Sequence, residues 1–179
     1  YHFNVCKKGD EINGRHDDIV RTLRYLVSSA GIKCHLEPRR LFTISTDKNI
    51  RPDLQLHMPG PLEGVNNNSK DVLVDVRVTD PVCSSNVGTD CILASEQEKM
   101  RKYQGHSIVA DMFFVPIVME SFGRYSKTTN TLIKALVKRV FQQDSEGCPE
   151  SRLLHYWNKR ISLVLQRSQA EVILNRYYR

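Results

Sequence analysis

Two aspartates and two lysines supply the residue types from which phosphoester chemistry could be built. Asp53 stands in Arg51-Pro52-Asp53-Leu54, inside the short apolar run 50–56, and Asp75 stands in Asp71-Val-Leu-Val-Asp75-Val-Arg77-Val78. Lys99 and Lys102 follow in Glu98-Lys99-Met-Arg-Lys102-Tyr103. Two carboxylates brought onto one face either repel each other or share a cation, and oxygen ligands completed by water suit Mg²⁺ or Mn²⁺. A lysine beside them can orient an attacking water and stabilise charge on a scissile phosphate. Spacing alone also allows a plainer outcome, with both aspartates on a solvated strand face.

The elements that must position these groups can be read from period. Val72, Val74, Val76 and Val78 alternate with Leu73, Asp75 and Arg77. This predicts a strand with one wholly valine face and with Asp75 and Arg77 together on the other. Pro52 lacks an N–H and suits a strand start or an edge. A loop of Pro, Gly, Asn and Ser, residues 59–69, separates the two runs, so an antiparallel hairpin brings Asp53 and Asp75 together. A helix over 91–104 carries the lysines, and places Lys99 and Tyr103, four apart, on one face.

Pro-Asp followed across a hairpin by Asp-x-(basic) resembles the PD-(D/E)xK restriction-like nuclease superfamily. More narrowly, Arg-His-Asp (15–17), Arg-Pro-Asp-Leu (51–54), Asp-Val-Arg-Val (75–78) and Lys-x-x-Lys-Tyr (99–103) come in a telling order. The set is similar to the restriction-like endonuclease at the C-terminus of site-specific retrotransposons lacking long terminal repeats, and of related reverse-transcriptase polyproteins. The resemblance extends from His2 to about Arg176. The superfamily lysine should stand where Arg77 is; in the retrotransposon branch it has moved to the following helix. The resemblance therefore assigns Asp53 and Asp75 to the metal, Lys99 to catalysis, and Tyr103 to buttressing Lys99 or meeting a phosphate. Arg77 cannot lose its proton, so it could stabilise charge but not act as a base.

The superfamily often draws an extra acid from its first helix, where Asp17 and Asp18 stand; Asp18 is the expected auxiliary acid. Arg15, His16, Arg51, Arg77 and Lys102 are expected to meet DNA. His2 and Cys6 correspond to the last two ligands of a zinc knuckle that precedes the nuclease in the family. Its first two cysteines are absent, so Zn²⁺ is expected only if a preceding segment completes the knuckle. Residues 1–10 then form a remnant of that knuckle and linker, and 11–179 the nuclease domain.

The function implied is metal-dependent nicking of double-stranded DNA, freeing a 3′ hydroxyl that primes reverse transcription in the nucleus. Element RNA would be engaged through the rest of the polyprotein. The alternative is a nuclease-like module that binds DNA without cutting it. A third reading, a purely structural domain, is weaker.

Composition agrees with one ordinary domain. The chain has 179 residues, 40% of them hydrophobic, and a net charge of +6. The basic excess favours a polyanionic partner but also suits plain solubility. No apolar run approaches the ~20 residues of a membrane span. Five cysteines at irregular spacing favour reduced thiols. Further helices are expected over 13–29 (capped by Asn13), 126–142 and 151–177, and strands over 32–37 and 109–119, with Pro116 marking a bulge or an edge. Trp157 falls on an apolar stripe and is expected in the core. The order of elements predicts an α/β fold, a restriction-endonuclease-like central mixed sheet flanked by helices.

Overall fold

The computed structural model describes residues 11–38, 50–66, 68, 70–104, 111–143 and 147–177. His2 and Cys6, with the expected remnant 1–10, lie outside the described residues. Within them the chain forms helix α1 (Glu11–Ser29), strands β1 (Lys33–Leu36), β2 (Leu54–His57) and β3 (Val72–Thr79), helix α2 (Cys91–Tyr103), strand β4 (Phe113–Glu120), and helices α3 (Lys127–Gln143) and α4 (Glu150–Tyr177). This is the expected α/β class, a four-stranded mixed sheet with helices packed on it.

The sheet order is β1-β2-β3-β4. The first three strands are antiparallel neighbours, and β3 and β4 run parallel through the α2 crossover. Strand alternation divides the residues of β3 and β4 between two cores. Val72, Val74 and Val76, with Val115, Ile117 and Met119, face the main core, which they share with α1, α3 and α4. Leu73 and Phe114 face the other way and pack with Ile50 and Tyr103 under α2. The result is three layers: three helices, the sheet, and one helix.

Helical spacing predicts the packing of α1, whose Ile19, Val20, Leu23, Leu26 and Val27 are all buried. The helix begins at Glu11, so Asn13 lies inside its first turn and does not cap it. Gly31 leaves the helix at φ 66°, a left-handed backbone that favours glycine. A Cβ there would stand 2.6 Å from Gln143 Nε2, which donates to the Ala30 carbonyl, so the glycine also lets the end of α3 close on α1. Trp157 is in the core, as its stripe predicts.

Pro116 lies opposite Asp75 in an unbroken parallel register. It causes no bulge, because β4 is an edge strand and the missing N–H leaves no ladder bond unmade. Asp90 caps α2, its carboxylate accepting from the Ile92 and Leu93 N–H groups. That cap fixes where α2 starts, and so where Lys99, Lys102 and Tyr103 fall over β3.

Candidate active site

The site forms where β2 leaves β3. The two strands pair only from Leu54↔Val74 to Leu56↔Val72, so β3 has no β2 neighbour beyond Val74. Asp53 holds that fork closed. Its N–H donates to the Val74 carbonyl (2.8 Å), and its Oδ2 accepts the Val76 N–H (2.6 Å) that a longer β2 would have paired. This backbone arrangement turns the Asp53 carboxylate toward the second half of β3.

His16, on α1, reaches the same oxygen from the other side, with Nε2 3.1 Å from Asp53 Oδ2 and Nδ1 3.2 Å from Asp17 Oδ1. With a carboxylate at each nitrogen the ring is held as an imidazolium. The Asp53 hydrogen bond, working against burial, moves its pKa up to about 9. Burial acts to raise the Asp53 pKa in turn, but the His16 hydrogen bond and charge and the Val76 N–H outweigh it and hold the carboxyl below its usual range.

Asp75 is 3% exposed and faces α2. Lys99 Nζ donates to its Oδ1 at 2.7 Å, and Lys102 Nζ stands 4.0 Å from its Oδ2. That Oδ2 is buried without a hydrogen-bond partner among the described residues. Desolvation pushes the Asp75 pKa up; Lys99 opposes this, and the neighbouring Asp53 charge adds to it. The two carboxyls therefore face each other with unequal acidity, Asp53 ionising first.

Tyr103 lies beneath them, 1% exposed and stacked on Phe114 at 4.1 Å between centroids. Its hydroxyl is buried beside Asp75 but falls short of hydrogen-bond geometry with any described group. Burial first, then the Asp75 charge, raise its pKa, so it remains a phenol. A side chain so enclosed cannot meet a phosphate, contrary to the expected contact. Tyr103 acts as a floor under Asp75.

The remaining expected residues divide. Arg77, which occupies the position two after Asp75, forms a surface ion pair with Glu98 (2.6 Å). Arg51 is exposed beside the fork. Asp18 is committed to Ser168 Oγ (3.0 Å) and Arg21 (2.9 Å), so α4 rather than the carboxylate pair claims the expected auxiliary acid. Arg15 is 5% exposed, with Nε and Nη1 lacking hydrogen-bond partners among the described residues. Burial lowers its pKa against the nearby Asp80 charge. It is a buried cation near the end of β3, not the surface DNA contact expected of it.

The sequence reading missed two contacts, His16 on Asp53 and Lys102 on Asp75. For His16 a signal was present: positions 16, 19, 20 and 23 share one helix face, the face that carries the apolar stripe.

Among the described residues no three His, Cys, Asp or Glu side chains are grouped to hold a metal ion. The carboxylate pair nonetheless fits a hard divalent cation. It offers two charged oxygen donors, one of them the orphaned Asp75 Oδ2, with the rest of the shell left to water and a phosphate. No helix among the described residues is long and apolar enough to cross a membrane. No protein-family model matches the chain, and no curated protein matches it.

Proposed function

We propose that this chain is a Mg²⁺-dependent DNA endonuclease that nicks duplex DNA, of the kind found in retrotransposon reverse-transcriptase polyproteins and acting in the nucleus. One observation carries the reading: the buried Asp75 carboxylate sits against the Lys99 ammonium with Asp53 alongside, and its Oδ2 accepts no hydrogen bond from any described group. Asp53 and Asp75 would hold Mg²⁺ or Mn²⁺, which supplies a polarised phosphoryl oxygen and an acidified water when bound.

The chain's own residues do the rest. Lys99 is fixed by Asp75 where its ammonium can orient the attacking water and stabilise the pentavalent phosphate. Lys102, more exposed and on the same carboxylate, is placed to take a neighbouring phosphate oxygen. Arg51 at the mouth of the fork meets the DNA backbone. The His16 imidazolium fixes the plane of the Asp53 carboxylate. Element RNA would be handled by other parts of a polyprotein.

A second reading, a DNA-binding module without cleavage, has its own observation. Lys99 and His16 already neutralise the two aspartates, so the cluster is balanced without any metal. Conversion of supercoiled plasmid to nicked circle in Mg²⁺ or Mn²⁺ separates the two. Nicking by wild type and its loss in Asp75→Asn support the nuclease; salt-sensitive DNA binding with no nicking in either metal supports the module.

A further inference from the structure

We propose that His35 and His57 form a second metal site, a two-imidazole seat for a divalent transition cation of the zinc class on the β1–β2 sheet face. It is independent of the carboxylate pair and goes beyond the proposed nuclease activity.

The register creates the pair. His35 lies opposite Gln55 and Lys33 lies opposite His57, so the two histidines are diagonal neighbours on one face of adjacent strands. Their ring centroids are 4.9 Å apart and the rings stand at 85°. An ion bound at ~2.0–2.1 Å to one nitrogen of each ring, in tetrahedral geometry, separates the two centroids by ~5 Å. The centroids therefore stand at a spacing that a shared cation can bridge.

The second observation is the support behind His57. Its Nδ1 lies 2.7 Å from Asp71 Oδ2, an oxygen that also accepts from Gln55 Nε2 (3.0 Å), while Asp71 Oδ1 accepts the Met58 N–H (3.3 Å). A carboxylate only accepts, so Nδ1 carries the proton and the lone pair of the neutral ring is at Nε2. A carboxylate behind a histidine is the arrangement that fixes the tautomer and raises the basicity of a metal ligand. His35 is exposed and His57 only half-buried, so an ion can reach both from solvent. Lys33, across from His57, is exposed and extends into water.

Imidazole selects Zn²⁺, Ni²⁺ or Cu²⁺ over Mg²⁺, whereas the aspartate pair has the opposite preference. Two protein ligands leave at least two positions to water. The bound ion would staple β1, an outer strand of the sheet, to β2.

The test titrates Ni²⁺ alone, by calorimetry, into the full reduced chain with Mg²⁺ in excess and no DNA. The expected result is one equivalent bound by wild type and by His155→Ala, and lost in both His35→Ala and His57→Ala. Asp71→Asn should bind that equivalent about 10- to 100-fold more weakly. Circular dichroism checks that each variant is folded, and His35→Gln replaces any alanine variant that is not. An isotherm in folded His35 and His57 variants equal to that of wild type, or no equivalent bound by wild type, overturns the site. Because no DNA is present, a failure of the nuclease reading leaves this result untouched.

Discussion

Lys99 Nζ lies 2.7 Å from Asp75 Oδ1, with side chains 15% and 5% exposed, so this ion pair is largely withdrawn from water. Removing one partner of such a pair leaves the other in a desolvated site. We therefore expect Lys99→Ala to lower folding stability by about 1–3 kcal/mol, more than the about 0.5 kcal/mol of an ordinary surface change. Urea midpoints at constant slope would show it. In the plasmid assay Lys99→Ala should slow nicking by about 10²-fold or more with little change in DNA affinity. Arg77→Ala, which breaks only a surface pair with Glu98, should stay close to wild type in both measurements.

Tyr103 makes a sharper structural prediction. Its ring is stacked on Phe114, and its buried hydroxyl falls short of hydrogen-bond geometry with any described group. Tyr103→Phe keeps the ring and removes a buried hydroxyl without a well-formed hydrogen bond, so stability should hold or rise by up to about 1 kcal/mol. Nicking should be retained. Tyr103→Ala should cost about 3–5 kcal/mol through the cavity it leaves. A Phe variant that folds normally and cannot nick would return Tyr103 to a chemical role.

Much of this fold was legible in the sequence because the β3 valines and the α1 stripe repeat at the periods that burial imposes. The parallel β3–β4 pairing followed from the crossover, and Pro116 on an edge from its missing N–H. What could not be read is which polar side chains are enclosed. Arg15 carries a charge that composition places at the surface, yet it is enclosed near the end of β3, and Asp18, still 38% exposed, is turned to Ser168 of α4. Helical spacing put Lys99 on the face of Tyr103, but only the packing of that face on β3, with the Tyr103–Phe114 stack and the Lys99–Asp75 pair, turns it inward.

Glu120, away from the candidate site, gives a pH prediction. The Arg124 hydrogen bond (2.6 Å), against burial, holds its carboxyl below the ordinary glutamate value of 4.5. A depressed folded-state pKa adds stability that is present above the unfolded value and is lost as pH falls through the folded one. Unfolding midpoints measured from about pH 6 down to about pH 3 should fall more steeply for wild type than for Glu120→Gln. Parallel curves would show that the Glu120–Arg124 pair contributes no net stability.

DNA binding should separate the arginines by burial. Each phosphate contact contributes about 0.9 to the slope of log affinity against log salt. Arg51→Ala and Lys102→Ala, both changing groups open to solvent, should each flatten that slope by about one contact. Arg15→Ala should leave it unchanged, because its guanidinium is enclosed near Asp80. A flatter slope in Arg15→Ala would mean that the end of β3 opens to meet DNA.

The last prediction follows from the charge of the site. Asp17, Asp53 and Asp75 contribute three negative charges, and His16, Lys99 and Lys102 contribute three positive ones paired with them. A divalent cation entering this balanced cluster leaves it with an excess of two positive charges. A DNA phosphate bound alongside removes part of that excess. Mg²⁺ should therefore bind the free protein weakly and the DNA complex more tightly, and by linkage DNA should bind more tightly in Mg²⁺. The check is the shift in thermal midpoint with Mg²⁺, measured with and without a duplex carrying a non-cleavable linkage. Wild type should show a larger shift with the duplex, and Asp75→Asn none in either case. Lys99→Ala removes one positive charge, and should bind Mg²⁺ more tightly than wild type without DNA while still failing to nick. Equal shifts with and without the duplex would show that the phosphate and the cation do not share the Asp53–Asp75 pair.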